Sequence, residues 1–217
     1  MEKLLIIGTG DYADMASYYL SEKYRIIGFA EEAAYRTLEE FKGLPIMNFE
    51  DIHSLYSPND IKVLVAVGPN KVNSVRERLF LEIKEMKYEC ITHIHPKAYV
   101  WDEQAIGENS FIFPNVTVEP YATVGKNCVL WSGAILSHHS KLMDHSFMAP
   151  GSTVSGRTTI KNNCFLGINS TIRDNLVIES HCIIGGGAII KKNTVPNGVY
   201  SDIGTALYNT NSKNTKV

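Results

Sequence analysis

Aliphatic residues or Met recur at every sixth position from Val100 to Ile190, running through Ile106, Ile112, Val118, Val124, Leu130, Leu136, Leu142, Met148, Val154, Ile160, Leu166, Ile172, Ile178 and Ile184. With each of these as position one of a hexad, position five is small almost throughout, as at Ser110, Cys128, Ser146, Cys164 and Thr194; Gln104 and Leu176 are the exceptions. Residues two apart on extended chain face the same side. Each hexad therefore predicts a short strand that turns one small and one large side chain inward. Position four is rich in Asn, Gly and His, from Asn109 to Asn193. These types tolerate left-handed backbone best, which predicts a sharp corner after each strand. Strand and corner at a constant period predict a solenoid, with three hexads per coil closing as a triangular prism.

The first 94 residues follow another rhythm. Apolar strand-like runs at Leu4–Ile7, Arg25–Phe29 and Val63–Val67 alternate with helix-like segments at Asp11–Glu22, near Glu50–Tyr56, and at Lys71–Met86. That alternation predicts a small Rossmann-like parallel α/β sheet. The expected organisation is an α/β domain over 1–94, the solenoid over 95–209, and a polar, disordered tail over 210–217.

Composition narrows the functions open to such a chain. A net charge of −2 leaves no basic footprint for nucleic acid, and no apolar stretch is long enough to span a membrane. The start, MEKLLIIGTG, reads as a first strand and not as a signal peptide, so a cytoplasmic protein with reduced thiols is expected. The four cysteines show no CxxC spacing, which argues against zinc-ribbon and thioredoxin chemistry. Cys128, Cys164 and Cys182 share one repeat phase and read as small interior fillers.

Candidate chemistry gathers at two places. The expected strands of the first domain end in Gly8-Thr9-Gly10-Asp11, in Gly28-Phe29-Ala30-Glu31-Glu32, and in Gly68-Pro69-Asn70 before a helix bearing Arg76. Those tips share one sheet edge, where α/β proteins bind ligands. Glycines there let backbone approach a phosphate, and carboxylates accept hydrogen bonds from a base or ribose. The second place is His138, the one histidine at position three, with Pro120 and Gly156 a coil away on either side. Imidazole takes up a proton near neutral pH, as a general base must. A bare Gly156 leaves room beside the ring and a backbone N–H for an oxyanion.

The hexads resemble the hexapeptide-repeat, left-handed parallel β-helix superfamily. "IIGTGDYAD", "GFAEE", "VAVGPN…R" and "IHPKAYV" leading into the hexads are similar to the bacterial nucleotide-aminosugar N-acetyltransferases and sialic-acid O-acetyltransferases. "GAILSHHSKLMDHSFMAPGSTVSG" resembles their active-site coil. That resemblance implies an acetyl-CoA-dependent, metal-free homotrimer. It would acetylate the amino group of a UDP- or dTDP-linked aminosugar by direct transfer, for surface glycan such as O-antigen. Sugar O-acetylation and a non-enzymatic scaffold are the rival readings. The resemblance makes His138 the base, His139 its neighbour at the usually acidic position, and Gly156 the oxyanion donor, with Asp144 as a substitute orienting carboxylate. Gly8, Gly10, Asp11, Tyr12, Glu31, Glu32, Gly68, Pro69 and Asn70 would hold the nucleotide sugar. Acetyl-CoA would meet Trp131, Phe147, Gly156, Arg173, Gly186, Lys191 and Lys192. Trp131 and Phe147 stand where relatives have Asn and His. The γ-type carbonic anhydrases on this fold need zinc histidines that include a pair five apart, which His138, His139 and His145 do not supply.

Overall fold

The computed structural model describes residues 1–202; the tail expected at 210–217, and the expected end of the second domain at 209, lie outside the described residues. The N-terminal part runs β1 (Lys3–Ile7), α1 (Asp11–Leu20), β2 (Arg25–Glu31), β3 (Glu40–Phe41), β4 (Leu44–Asn48), α2 (Ile52–Leu55), β5 (Lys62–Val65), α3 (Ser74–Glu85) and β6 (Glu89–Cys90). The sheet order is β3-β4-β2-β1-β5-β6, parallel except between β3 and β4. β1 is central, and Leu4 to Ile7 are all buried, as a strand covered on both faces requires. The chain leaves β1 for β2 on one side and returns to β5 on the other. A crevice opens between the ends of these strands.

From His93–Ile94 onward the chain is a left-handed parallel β-helix, starting two residues before the expected boundary. Its strands are two residues long, and each pairs in parallel with the strand three hexads later, as Thr117 does with Ile135 and Phe147 with Phe165. Three faces result. Face one holds Phe111–Ile112, Val129–Leu130, Phe147–Met148, Phe165–Leu166 and Ile183–Ile184; face two holds Thr117–Val118, Ile135–Leu136, Thr153–Val154 and Thr171–Ile172; face three holds Thr123–Val124, Lys141–Leu142, Thr159–Ile160 and Val177–Ile178.

Position one is buried from Ile106 to Ile190, and position five is buried at Ser110, Cys128, Ser146, Cys164 and Cys182 alike. The position-five residues are more than fillers. Ser110 Oγ donates to the Gly125 carbonyl (2.8 Å), Ser140 Oγ to Ser155 (2.9 Å), Thr158 Oγ1 to Arg173 (2.9 Å) and Cys128 Sγ to Met143 (3.2 Å). A small donor here satisfies a corner carbonyl of the next coil, which a buried backbone group requires. Every position four from Asn109 (φ 58°) to Gly187 (φ 71°) is left-handed. Tyr121 (φ 66°) and Arg157 (φ 58°) obey the corner despite their side chains.

The α/β domain docks on face one. Phe111, Val129 and Phe147 turn outward there and are buried beneath it. Fully buried Arg76 reaches from α3 to the carbonyls of Asn127 (3.3 Å) and His145 (3.2 Å), and also donates to Val67 O (3.3 Å) and Asn73 Oδ1 (3.0 Å). Burial lowers its pKa, and the carbonyl dipoles offset part of the desolvation cost. Asn109 accepts the Val65 N–H (2.9 Å) and donates to the Val65 carbonyl (3.2 Å), continuing β5 onto the β-helix through its amide.

Candidate functional site

The crevice at the ends of β1, β2 and β5 is a cavity of about 1030 Å³. Gly8, Gly10, Glu31, Glu32, Gly68 and Asn70 line it, as the strand tips lead one to expect. Gly8 has a packing reason: a Cβ there would lie 2.7 Å from the Ala66 carbonyl oxygen. Gly10 and Gly68 have no such reason, since the space over each is open. Thr9 Oγ1 donates to Glu31 Oε1, and Arg78 pairs with Glu32 at 2.8 Å. Thr9, Tyr35, Lys71, Ser74 and Arg78 also line the cavity and were not among the expected residues. Ser74 and Arg78 share one face of α3 by their four-residue spacing.

Three expected residues are not in the cavity wall. Pro69 is off the lining, and its carbonyl accepts the Asn73 N–H (3.2 Å). Asp11 is exposed at the start of α1. Tyr12 points the other way, 4% exposed in the domain joint, against Phe111 (5.7 Å between centroids) and Phe113 (6.3 Å). Burial raises its pKa, and its hydroxyl has no partner among the described residues. The expectation that Tyr12 helps hold the nucleotide sugar is therefore corrected. The cause is helical phase, since Tyr12 lies on the stripe with buried Ala16 and Leu20. Asp11 and Asp14 occupy the first turn of α1, where a carboxylate already uses the positive helix end. The start of α3 instead offers Lys71 and Ser74 to the cavity.

His138 stands at the corner between faces two and three, exposed to solvent. Its backbone N–H donates to Glu119 Oε2 (2.7 Å), and its Nδ1 lies 3.2 Å from Nδ1 of His139. A Cβ on Gly156 would fall 2.5 Å from Cε1 and 2.7 Å from Nε2 of His138. The missing side chain is thus filled by the imidazole itself, and not left as empty room. Among the described residues, nothing accepts a hydrogen bond from the Gly156 N–H or partners His138 Nε2. Asp144 does not orient His138: its Oδ1 accepts the Lys126 N–H (2.8 Å) at another corner.

The residues expected to meet acetyl-CoA divide into three places. Arg173, Lys191 and Lys192 are exposed along the same prism edge as His138, further down the coils; Arg173 pairs with Asp174 (3.4 Å). Gly186 is at the edge between faces one and two. Phe147 is buried under the α/β domain with the Arg76 guanidinium 5.8 Å from its ring, so its expected cofactor contact is corrected. Trp131 is half-buried, stacked on Phe113 (4.1 Å) in the same aromatic joint, and its Nε1 has no partner among the described residues. Part of its ring stays exposed beside that joint. Among the described residues, no group of three His, Cys, Asp or Glu side chains could hold a metal ion, and no helix is long and apolar enough to cross a membrane.

Comparisons with known proteins agree with this architecture. The GMPPB C-terminal domain family matches residues 89–200, a little over half of the chain, and the PglD N-terminal domain family matches residues 3–83. Among curated proteins none matches. The acetyltransferase domain of PglB from Neisseria gonorrhoeae FA1090 superposes with a TM-score of 0.82 at 20% identity, over 93% of this chain and 97% of that one. The same domain in complex with acetyl coenzyme A gives 0.78 at 22% identity, over 93% of each chain. A His-to-Asn variant of perosamine N-acetyltransferase from Caulobacter crescentus, in complex with CoA and GDP-perosamine, gives 0.83 at 17% identity, over 94% of this chain and 95% of that one. At these identities the likeness speaks for the fold.

Proposed function

From the premise that the chain belongs to the GMPPB C-terminal domain family and carries a PglD N-terminal domain, we propose that it is an acetyl-CoA-dependent N-acetyltransferase acting on the amino group of a nucleotide-linked aminosugar. The observation that carries this reading is the exposed His138 imidazole, laid over Gly156 with no partner on Nε2 among the described residues. PglB with acetyl coenzyme A and the perosamine enzyme with CoA and GDP-perosamine support the two substrate classes.

The cavity of the α/β domain takes the nucleotide. Glu31 and Glu32 accept hydrogen bonds from base or ribose, while Lys71, Arg78 and the N-terminus of α3 offset the diphosphate charge. At His138, Nε2 removes a proton from the sugar amine as its nitrogen bonds to the thioester carbonyl carbon. The carbonyl π pair moves onto oxygen, beside the Gly156 N–H. That pair then re-forms the C=O bond, the C–S bond breaks, and His138 returns the proton to the departing CoA sulfur. The products are an acetamido sugar and CoA thiol. Arg173, Lys191 and Lys192 extend the same edge as cations for the CoA phosphates. Incorporation of the product into surface glycan is part of this reading.

A homotrimer completes the site. In a three-sided cross-section the His138 corner lies opposite face one, where the α/β domain docks. A sugar in one protomer's cavity is therefore acetylated at the His138 corner of another copy. Incubating the protein with acetyl-CoA and UDP-, dTDP- and GDP-linked aminosugars should release free thiol and add one acetyl group to a sugar, by mass. Coexpressed His138→Asn and Arg78→Glu protomers should recover activity that neither has alone. No turnover with any of these acceptors, and no thermal shift with any nucleotide, would sink the assignment.

A further inference from the structure

The usual candidate for orienting a catalytic imidazole is a carboxylate, and among the described residues His138 has none at its ring nitrogens. Its Nδ1 instead meets Nδ1 of His139 at 3.2 Å, with the two rings at 86°. Both imidazoles are exposed. We infer that His139 is the positioning residue of this base: its Nδ1 lone pair accepts the Nδ1–H of His138, which leaves the lone pair of His138 on Nε2. This rests on the acetyl-transfer reading for its effect on rate.

The alternative polarity, with His139 donating to His138, would put the proton of His138 on Nε2. That nitrogen could then accept nothing from a sugar amine. Only the first polarity lets His138 gain a proton without any other proton having to move. Nδ1–H keeps the same acceptor before and after, so the dyad needs no rearrangement during the reaction.

The surroundings of His139 are specific to this place in the helix. From Asn109 to Gly187, position four is Asn, Gly or His except at Tyr121 and Arg157. Those two flank His139 in its column, one coil before and one coil after. Both are held left-handed, at φ 66° and 58°, where bulky side chains are uncommon. The Tyr121 ring lies against His139 with centroids 4.8 Å apart, although it is 63% exposed. On the other side the Arg157 N–H donates to the His138 carbonyl (3.0 Å). Glu119 holds the His138 N–H from the preceding coil. The backbone of His138 is thus fixed from both coils, while the tilted Tyr121 ring lies against His139 from the coil before.

Selective 15N labelling of histidine in the full-length protein reads the tautomers directly, with His138→Asn and His139→Asn spectra assigning the signals. The expected result is an Nδ1–H tautomer for His138 and Nε2–H for His139. His139→Gly suits the left-handed corner but removes the acceptor. It should shift His138 toward Nε2–H and lower kcat roughly 10–100-fold, part of the roughly 10²–10⁴ that a general base contributes, with KM for acetyl-CoA little changed. His139→Asn keeps an acceptor oxygen and the corner, and should recover most of that loss. An Nε2–H tautomer for His138 in the unaltered protein, or an unchanged kcat in His139→Gly, would overturn the inference. If the tautomers are as expected but no acceptor is acetylated, the acetyl-transfer reading fails and the positioning role survives.

Discussion

His139 and His145 occupy the same hexad position with nearly the same φ, 60° and 61°, yet they do different work. His139 is exposed at the edge between faces two and three, with its ring beside those of His138 and the tilted Tyr121. His145, one corner later, is buried under the α/β domain. Its Nδ1 bonds to Asn127 Nδ2 (2.9 Å), Nε2 lies 3.7 Å from Glu77, and its carbonyl accepts from Arg76. The repeat sets the backbone identically at both corners. What covers the corner then decides whether the imidazole serves chemistry or cohesion.

The strongest way to break this comparison is to change one histidine at each corner. His138→Asn should reduce kcat by roughly 10²–10⁴ with the unfolding midpoint unmoved, as expected for an exposed general base. His145→Asn should leave kcat close to normal and lower stability by about 1–2 kcal/mol, the cost of disturbing a buried hydrogen bond. Steady-state kinetics and urea titration of both variants would check this. A reversed pattern would mean that the two corners have been assigned the wrong way round.

Arg76 sharpens the buried side. Arg76→Met fills similar volume but leaves the carbonyls of Val67, Asn127 and His145 without their donor. The expected loss is about 3 kcal/mol, from several buried acceptors left unsatisfied. Nucleotide affinity should fall with it, because Asn73 ties the cavity loop to both Arg76 and the Cys164 carbonyl (3.0 Å). Denaturation and nucleotide titration of the same variant test both halves.

Acid should also weaken the joint. Burial, helped by His95 and Lys23, pushes His93 down to about 4, and burial lowers His145 against the opposing pull of Glu77. Both are neutral in the folded chain. Below about pH 6.5, the ordinary value for histidine, the unfolded chain takes up protons that the folded chain accepts only at lower pH. Stability should therefore be fully present above pH 6.5 and decline toward pH 4. For His93 the loss is about 1–2 kcal/mol once its partial exposure is allowed for. Thermal unfolding at pH 7 and pH 5 would show it, and His93→Phe should flatten the difference.

The β-helix was legible because its rule is local: six residues decide which two side chains turn inward, and three hexads decide which strands pair. The α/β domain was only partly legible. β3 and β6 are two residues long, and Pro45 interrupts the apolar pattern of β4. At the cavity, the strand tips could be read but the loop residues Tyr35 and Lys71 could not, because only the fold brings them over the crevice. Two signals were present and unused. Tyr12, Ala16 and Leu20 recur at four-residue steps on one face of α1, which marks Tyr12 as inward. Phe111, Val129, Phe147 and Phe165 recur at one-coil spacing on positions that should face water, which marks a docking surface on face one.

The smallest expected effect compares two serines in the same hexad position. Ser146 Oγ donates to the Lys161 carbonyl (3.2 Å) and accepts the Cys164 N–H (3.2 Å) at the edge beneath the α/β domain. Ser152 is equally buried at the next edge, yet its hydroxyl has no partner among the described residues. Ser146→Ala should cost about 1 kcal/mol, the net worth of a satisfied buried hydrogen bond. Ser152→Ala removes a polar atom that gains nothing from burial, and should be neutral or slightly stabilising. Urea midpoints of the two variants resolve a difference of this size. Equal losses would mean that position five contributes by volume alone, and that its hydroxyls and thiols do not hold the coils together.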